Sequence, residues 1–436
     1  MSRKESLLLF FGLLIEGMCI VYRIIPGNTG QIIIKYMAVF SLFFFLTLAA
    51  YLLVRKNEFS RIMVFTVFIG ALLFQVTLLP SHPDLSDDIY RYVWDGKLQY
   101  MGINPYAYAP ADPRLKPYHS SILPGRVNFP HLKTIYPPAA QGVFALAYAL
   151  FRESLTGMKA LFVLFHLGSM FLFYRILGIR KQPPALLLLY AWNPLPIMET
   201  AVNGHLDPLF LFFILLALFC FYRGRTFFAG LSLGLSILSK VIPLIAIPPF
   251  LWEIGKGKGK TKRMTLFLAG IGAPVFLFWL PYRHSIRNLS LSVLHYSSRW
   301  YFNNPFFHLL LVFFPDNVRA HQFAALVLAC SLTWVLLRCR SFEKRIFYTF
   351  LLFVLLNPTV HPWYLIVLTG LLAVHAEPVV FFWSGSVILS YVVFYRFKVF
   401  GTWHDSLPVM VLEYAPLALL LLGKWLWEKK FGRPRA

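Results

Sequence analysis

TFFAGLSLGLSILSKVIPLIAIPPFLW, residues 226–252, is apolar for 27 positions, interrupted only by Lys240 and by Pro243, Pro248 and Pro249. A single crossing of a bilayer takes about 20 residues, and prolines break the helical ladder. The run therefore reads either as one kinked helix or as a hairpin of two short helices turning near Lys240. Its flanks bear on the choice. Arg223 and Arg225 precede it and GKGKGKTKR, residues 255–263, follows it. Basic loops favour the cytoplasmic side, so both flanks belong on one side and the run turns back on itself.

The rest of the chain agrees with a membrane reading. Of its 436 residues 58% are hydrophobic and 14% charged, against about 25% charged in soluble domains. This excludes a soluble cytosolic enzyme, a disordered regulator and a secreted soluble module. The excess of 41 basic over 18 acidic residues would suggest nucleic acid in a soluble protein. In a polytopic chain the positive-inside tendency accounts for it, and no nucleic-acid partner is expected. Cys19, Cys220, Cys330 and Cys339 lie in or beside apolar runs, so neither a disulfide framework nor a sulfur-bound metal is expected. Met1–Ser6 is basic and leads into an apolar run without a small-residue cleavage site, which reads as a retained span.

Further candidate spans are 6–26, 32–54, 61–80, 158–178, 183–200, 206–222, 264–281, 320–338, 343–357, 362–375, 378–395 and 408–427. The stretch 137–151, at about 15 residues, suits an interfacial or re-entrant helix better than a crossing. With that stretch not crossing and 226–252 a hairpin, the basic groups at 3–4, 55–61, 175–181, 223–225, 255–263, 338–345 and Lys424–Arg435 all fall inside. The expected fold class is all-α: a polytopic integral membrane protein of about 12–14 transmembrane helices with extracytoplasmic juxtamembrane helices and both termini cytoplasmic. It forms a single membrane-embedded domain, 1–436. Within it lie N-terminal spans 1–80, an extracytoplasmic acidic loop with juxtamembrane and re-entrant helices 81–157, central spans 158–281, an outer basic loop 282–319 and C-terminal spans 320–436.

The polar chemistry gathers on the outer face. HPDLSDDIYRYVWDGKLQYMGINPYAYAP, residues 82–110, offers Ser86 as a helix cap, with Asp87 and Asp88 in the first turn and Gly96 or Gly102 near the end. Asp88, Arg91 and Asp95 share a face, while Tyr90, Trp94 and Tyr100 suit the membrane interface. Carboxylates at a helix start also merely complement the dipole. Four acids this close to a span (Asp84, Asp87, Asp88 and Asp95) point further, to function. Tyr106 lies in GINPYAYAP, and Tyr136 precedes Pro137-Pro138, a pair that fixes a helix start. ETAVNGHLD, 199–207, sets Asn203, His205 and Asp207 at the outer ends of two spans, either as a site or as a polar clasp across Gly204. The outer basic loop carries Arg283, Arg287 and Arg299, which with Lys240 suit a phosphate or anionic head groups. NPTVHPWY, 357–364, presents His361, Trp363 and Tyr364.

These pieces together resemble the GT-C superfamily of polytopic glycosyltransferases, and most nearly the bacterial polyprenyl-phosphate-mannose-dependent α-mannosyltransferases. The resemblance is carried, in order, by SDDIYRYVWDG with GINPY at 86–106, TIYPP at 134–138, NGHLDP at 203–208, the Lys240–Pro243 break and VHPWY at 360–364. It departs from the superfamily in placing the acidic loop after the third span instead of the first; two extra crossings keep that loop outside.

The resemblance implies an inverting glycosyltransferase in the bacterial inner membrane, multi-pass, with an extracytoplasmic active site. It would move a mannose-like hexose from a polyprenyl-phosphate sugar donor to a hydroxyl on a glycan, lipid or protein acceptor, in contact with membrane lipid. Asp88 or Asp87 would be the catalytic carboxylate, and Lys240, Arg283, Arg287 and Arg299 the donor-phosphate contacts. Arg91, Asp95, Tyr106, Tyr136, Asn203, His205, Asp207, His361, Trp363 and Tyr364 would bind substrate. A divalent metal, Mg or Mn, is a possible cofactor that no ligand set in the sequence decides. The rival readings are a lipid-linked sugar transporter or flippase and an O-antigen polymerase or ligase, neither of which needs the acidic juxtamembrane helix.

Overall fold

Among the described residues seven helices are long and apolar enough to cross a bilayer: Arg3–Ile24, Thr29–Val54, Arg61–Leu78, Leu155–Ile179, Lys260–Tyr282, Asn317–Arg338 and Pro378–Phe400. The structure, a computed structural model, describes residues 2–56 and 59–431, without the side chains of 424, 425 and 427–431. The basic side chains of the Lys424–Arg435 tail lie outside what is described. Shorter apolar helices fill the spaces between the long ones, among them Pro138–Phe151, Asp207–Tyr222 and Leu407–Gly423. The protein is an all-α polytopic membrane protein. Among the described residues the only extended pairing is a parallel bridge between Phe302 and Thr359.

The 226–252 run is a hairpin. Helix Thr226–Ile237 runs up to a turn at Leu238–Val241, and a 3-10 segment, Ile242–Ala246, leads into the returning helix Ile247–Gly255. Both ends of the run meet the start of helix Phe342–Leu356. Tyr222 packs on Phe342 with ring centroids 6.2 Å apart, and Glu253 pairs with Arg345 at 3.3 Å. Arg180 reaches Glu343 at 2.8 Å. The basic groups at 175–181, 223–225, 255–263 and 338–345 thus adjoin one another through these contacts. The upward helix lies unusually close to helix Lys260–Trp279: a Cβ on Gly230 would stand 2.1 Å from the Phe267 carbonyl oxygen. Only small residues permit such an approach between membrane helices.

The expected span 183–200 is not one helix. It divides into a 3-10 segment, Pro184–Leu187, a single turn, Leu188–Ala191, and helix Pro194–Ala201. Pro183, Pro184 and Pro194 remove the backbone donors that would make it continuous. Side chains take over the freed groups: Thr47 Oγ1 donates to the Trp192 carbonyl at 2.7 Å, and Asn193 caps Leu195 N at 3.0 Å.

The acidic segment forms helix Asp88–Tyr100, which passes through Gly96 and stops before Gly102, whose φ is +76°. It does not lie on the surface. Residues 101–136 fold over it and contribute Leu115, Leu123 and Val127 to a core with Ile89, Tyr92, Trp94, Phe144 and Phe162. Trp94 and Tyr90 are buried, and of the three expected interfacial aromatics only Tyr100 is exposed. A long irregular loop with its own apolar residues is what changes their environment. As expected from the two prolines, Pro137 caps helix Pro138–Phe151 and Pro138 is its first residue.

Candidate active site

Helix Asp88–Tyr100 points its first turn into a cavity of about 610 Å³. Ser86 Oγ accepts from Asp88 N at 3.3 Å, while Asp87, the residue before the helix, makes no side-chain cap. The two aspartates part company there. Asp87 stands at the mouth with 51% of its side chain accessible, 4.0 Å from Lys398. Asp88 turns inward, 22% accessible, and its Oδ1 accepts from Asn128 Nδ2 at 2.6 Å. Withdrawal from bulk water pushes the Asp88 carboxyl up to about 6. The Asn128 amide and the Lys240 charge pull it down, and Asp207 and Asp87 add to the rise.

Behind Asp88 the chain turns at Gly204, whose φ is +76° and whose added Cβ would stand 2.5 Å from Ile89 Cδ1. Only glycine meets both conditions. The turn leads into helix Asp207–Tyr222, and Asp207 at its start pairs with Lys240 at 2.7 Å. Lys240 Nζ also lies 4.5 Å from the Tyr364 ring centre. It is therefore already neutralised within the wall.

The opposite wall is aromatic. Trp300 and Tyr296 come from the outer basic loop, which the Phe302–Thr359 bridge ties to the 357–361 turn. Thr359 Oγ1 donates to the Trp300 carbonyl at 2.9 Å, and Tyr296 and Tyr364 hydroxyls meet at 3.3 Å. Phe302, His361, Trp363 and His205 form one stack, with centroid separations of 4.8, 4.2 and 3.7 Å in that order.

Of the residues singled out in the sequence, Asp87, Asp88, Arg91, Tyr136, Asp207, Lys240, His361, Trp363 and Tyr364 line this cavity. Four lie beneath it or serve the scaffold. Arg91 ties Asp95 at 3.0 Å, and Gln141 donates to the other Asp95 oxygen at 2.9 Å, so Asp95 is a buried strut. Tyr106 is buried and its hydroxyl donates to the Tyr136 carbonyl at 2.8 Å. Asn203 donates to Glu199 at 3.0 Å, and it and His205 are fully buried. Arg283, Arg287 and Arg299 are exposed and absent from the cavity wall. Helix Ile286–Ser297 turns Leu289 and Tyr296 inward, one heptad apart, which leaves Arg287 on the outer face.

The cavity also holds cations that the sequence reading passed over, Lys133 and Lys398, and the amide Asn128. Among the described residues Lys133 has no ion pair. Lys398 follows the same signal that drew attention to the outer arginines, a basic residue at the outer end of a span. Asn128 carried no signal at all.

For a divalent metal the donor set is poor. Among the described residues no three His, Cys, Asp or Glu side chains converge at ligand distance. Asp88 is engaged by Asn128 and Asp207 by Lys240. These residues do not fit a metal cage. What the arrangement can do is hold an anion beside Lys133 and Lys398, seat a sugar against Trp363, Tyr364 and Trp300, and take a proton at Asp88.

Comparison with known families gives one match. The family model described as the alpha-(1->6)-mannopyranosyltransferase N-terminal domain of the MptA_B family matches residues 14–256. No curated protein matches the chain. The matched span includes Asp88, Asn128, Lys133, Asp207 and Lys240, while Tyr296, Trp300, His361, Trp363, Tyr364 and Lys398 come from beyond it.

Proposed function

Since the chain belongs to the MptA_B family of alpha-(1->6)-mannopyranosyltransferases, we propose that it carries mannose from a polyprenyl-phosphate donor to an acceptor hydroxyl on the extracytoplasmic face of a bacterial plasma membrane. The observation that carries this reading is the placement of a half-buried carboxylate, Asp88, at the inner end of a cavity whose walls hold Lys133, Lys398 and an aromatic shelf.

The phosphate leaves as an anion, so its departure needs charge stabilisation more than protonation. Lys133 and Lys398 supply that charge. Lys240 stays paired with Asp207 in the wall. The acceptor hydroxyl gives its proton to Asp88 as its oxygen bonds to the anomeric carbon, and the carbon–phosphate oxygen bond breaks with its electron pair going to phosphate. Attack opposite to the leaving group inverts the anomeric carbon, turning a β-linked donor into an α-linked product. Trp363, Tyr364, Tyr136 and His361 orient the sugar, and Arg91 steadies the wall by donating to the Leu132 carbonyl at 2.9 Å.

The test is transfer of radiolabel in membranes carrying the full chain, from a panel of polyprenyl-phosphate sugars and from nucleotide-activated mannose. Transfer from polyprenyl-phosphate mannose alone supports the proposal. Transfer from the nucleotide sugar without the lipid would refute the donor assignment.

A further inference from the structure

His205 is buried completely between two carboxyl groups. Its Nδ1 stands 3.7 Å from Asp88 Oδ2 and its Nε2 stands 3.5 Å from Glu199 Oε2. Among the described residues neither ring nitrogen has a hydrogen-bond partner. A polar clasp holding two helix ends together would close such contacts, because an unmet buried polar group costs about 1–3 kcal/mol. The ring is held open, stacked on the face of Trp363 at a centroid distance of 3.7 Å and an interplanar angle of 16°.

Glu199 beyond it is equally enclosed. Tyr36 and Tyr391 hydroxyls donate to its Oε1 at 2.9 and 2.7 Å. Oε2 receives, among the described residues, only Asn203, at 3.0 Å, and faces the imidazole with a lone pair to spare. Two other titratable groups look on the ring. Lys240 is paired with Asp207, and His361 is separated from it by the Trp363 ring. Neither offers His205 a proton path.

We infer that Asp88, His205 and Glu199 form a proton relay that clears the catalytic carboxylate after each transfer. This rests on Asp88 being the base. The acceptor O–H bond breaks and its proton lands on Asp88 Oδ2. That proton passes to His205 Nδ1, while the proton on Nε2 passes to Glu199 Oε2. The ring stays neutral with its tautomer exchanged, and Asp88 is again a carboxylate. The open 3.7 and 3.5 Å distances are those of a ring waiting between a proton donor, Asp88, and an acceptor, Glu199, and each contact tightens as the proton arrives. When the products leave, the proton returns along the same path to water in the cavity. His205 and Glu199 are positioning residues, since neither lines the cavity.

The experiment uses the full chain in membranes with polyprenyl-phosphate mannose, and compares Glu199→Gln and His205→Gln with wild type. Glu199→Gln keeps the acceptor oxygen for Tyr36 and Tyr391, and it is informative even where His205→Gln fails to fold. Infrared difference spectra of the product-bound state should show the protonated-carboxyl band of Glu199 in wild type and, in Glu199→Gln, a band shifted in frequency because the proton stays on Asp88. The kcat of either variant should fall by roughly 10–100-fold, with donor KM unchanged. Wild-type kcat in folded Glu199→Gln, or an unchanged carboxyl band in it, would overturn the relay while leaving Asp88 as base. Full activity in Asp88→Asn would instead remove the base itself, which separates the two failures.

Discussion

Replacing Asp88 by Asn removes one proton acceptor and almost nothing else. The amide is isosteric, its oxygen can keep the 2.6 Å bond from Asn128 Nδ2, and Asn suits a helix start as well as Asp does. A positioned base contributes about 10²–10⁴ in rate, or roughly 2.7–5.4 kcal/mol of barrier. Turnover should fall by that factor while donor KM holds, because the proposed phosphate contacts, Lys133 and Lys398, are left intact.

The pH dependence gives a second signature. Burial lifts the Asp88 carboxyl from 3.8 to about 6, so wild-type activity should decline as pH falls through about 6. The sign for stability runs the other way. The group is ionised in both folded and unfolded chains at pH 7, and folding then carries a cost of up to roughly 3 kcal/mol for holding the charge out of water. That cost fades below about pH 6 and is gone below the unfolded value. Asp88→Asn lacks it throughout and should unfold at an equal or higher temperature than wild type at pH 7. The assay is initial-rate mannosyl transfer across pH 5–8 beside thermal unfolding in detergent. Normal turnover in Asp88→Asn would refute the reasoning, as would a drop matched by a drop in melting temperature, which marks a structural role.

Other expectations follow from the same geometry. Lys133→Gln and Lys398→Gln should each raise donor KM or lower transition-state binding by about 1.5–3 kcal/mol, roughly 10–150-fold in kcat/KM. The triple change Arg283→Gln, Arg287→Gln, Arg299→Gln, made on exposed residues, should alter kcat/KM by less than about threefold. Gly204→Ala should destabilise by about 1–3 kcal/mol, since it combines a positive φ with a clash against Ile89; an unchanged melting temperature would contradict this. Single cysteines at Ser120 and Gly257 should label from opposite sides of the membrane, and labelling from the same side would contradict the topology.

Much of the fold could be read from local chemistry. Lys240 with its neighbouring prolines marks a turn inside an apolar run, and the basic flanks set both ends together, as the contacts of Tyr222 and Glu253 bear out. The cavity wall was legible where motifs were short and dense, at Asp88, Asp207 and His361–Tyr364. It was not legible where the wall depends on helix phase and packing. Arg287 is basic and lies in the outer loop, yet it sits a half-turn from the inward face that Tyr296 occupies. Lys133 and Lys398 are single cations on distant segments, brought to one cavity only by the tertiary fold. Trp94 fits a membrane interface by residue type, but the 101–136 loop covers it with apolar side chains of its own. The break in 183–200 is set by Pro183, Pro184 and Pro194, which interrupt an apolar run of a length that suits one span.

The most direct measurement is a structure of the protein with a non-hydrolysable polyprenyl-phosphate mannose analogue. The phosphate should lie beside Lys133 and Lys398, the sugar against Trp363 and Tyr364, and the anomeric carbon open to a hydroxyl hydrogen-bonded to Asp88. A donor bound instead over Arg283, Arg287 and Arg299, with the Asp88 cavity free of it, would contradict the account.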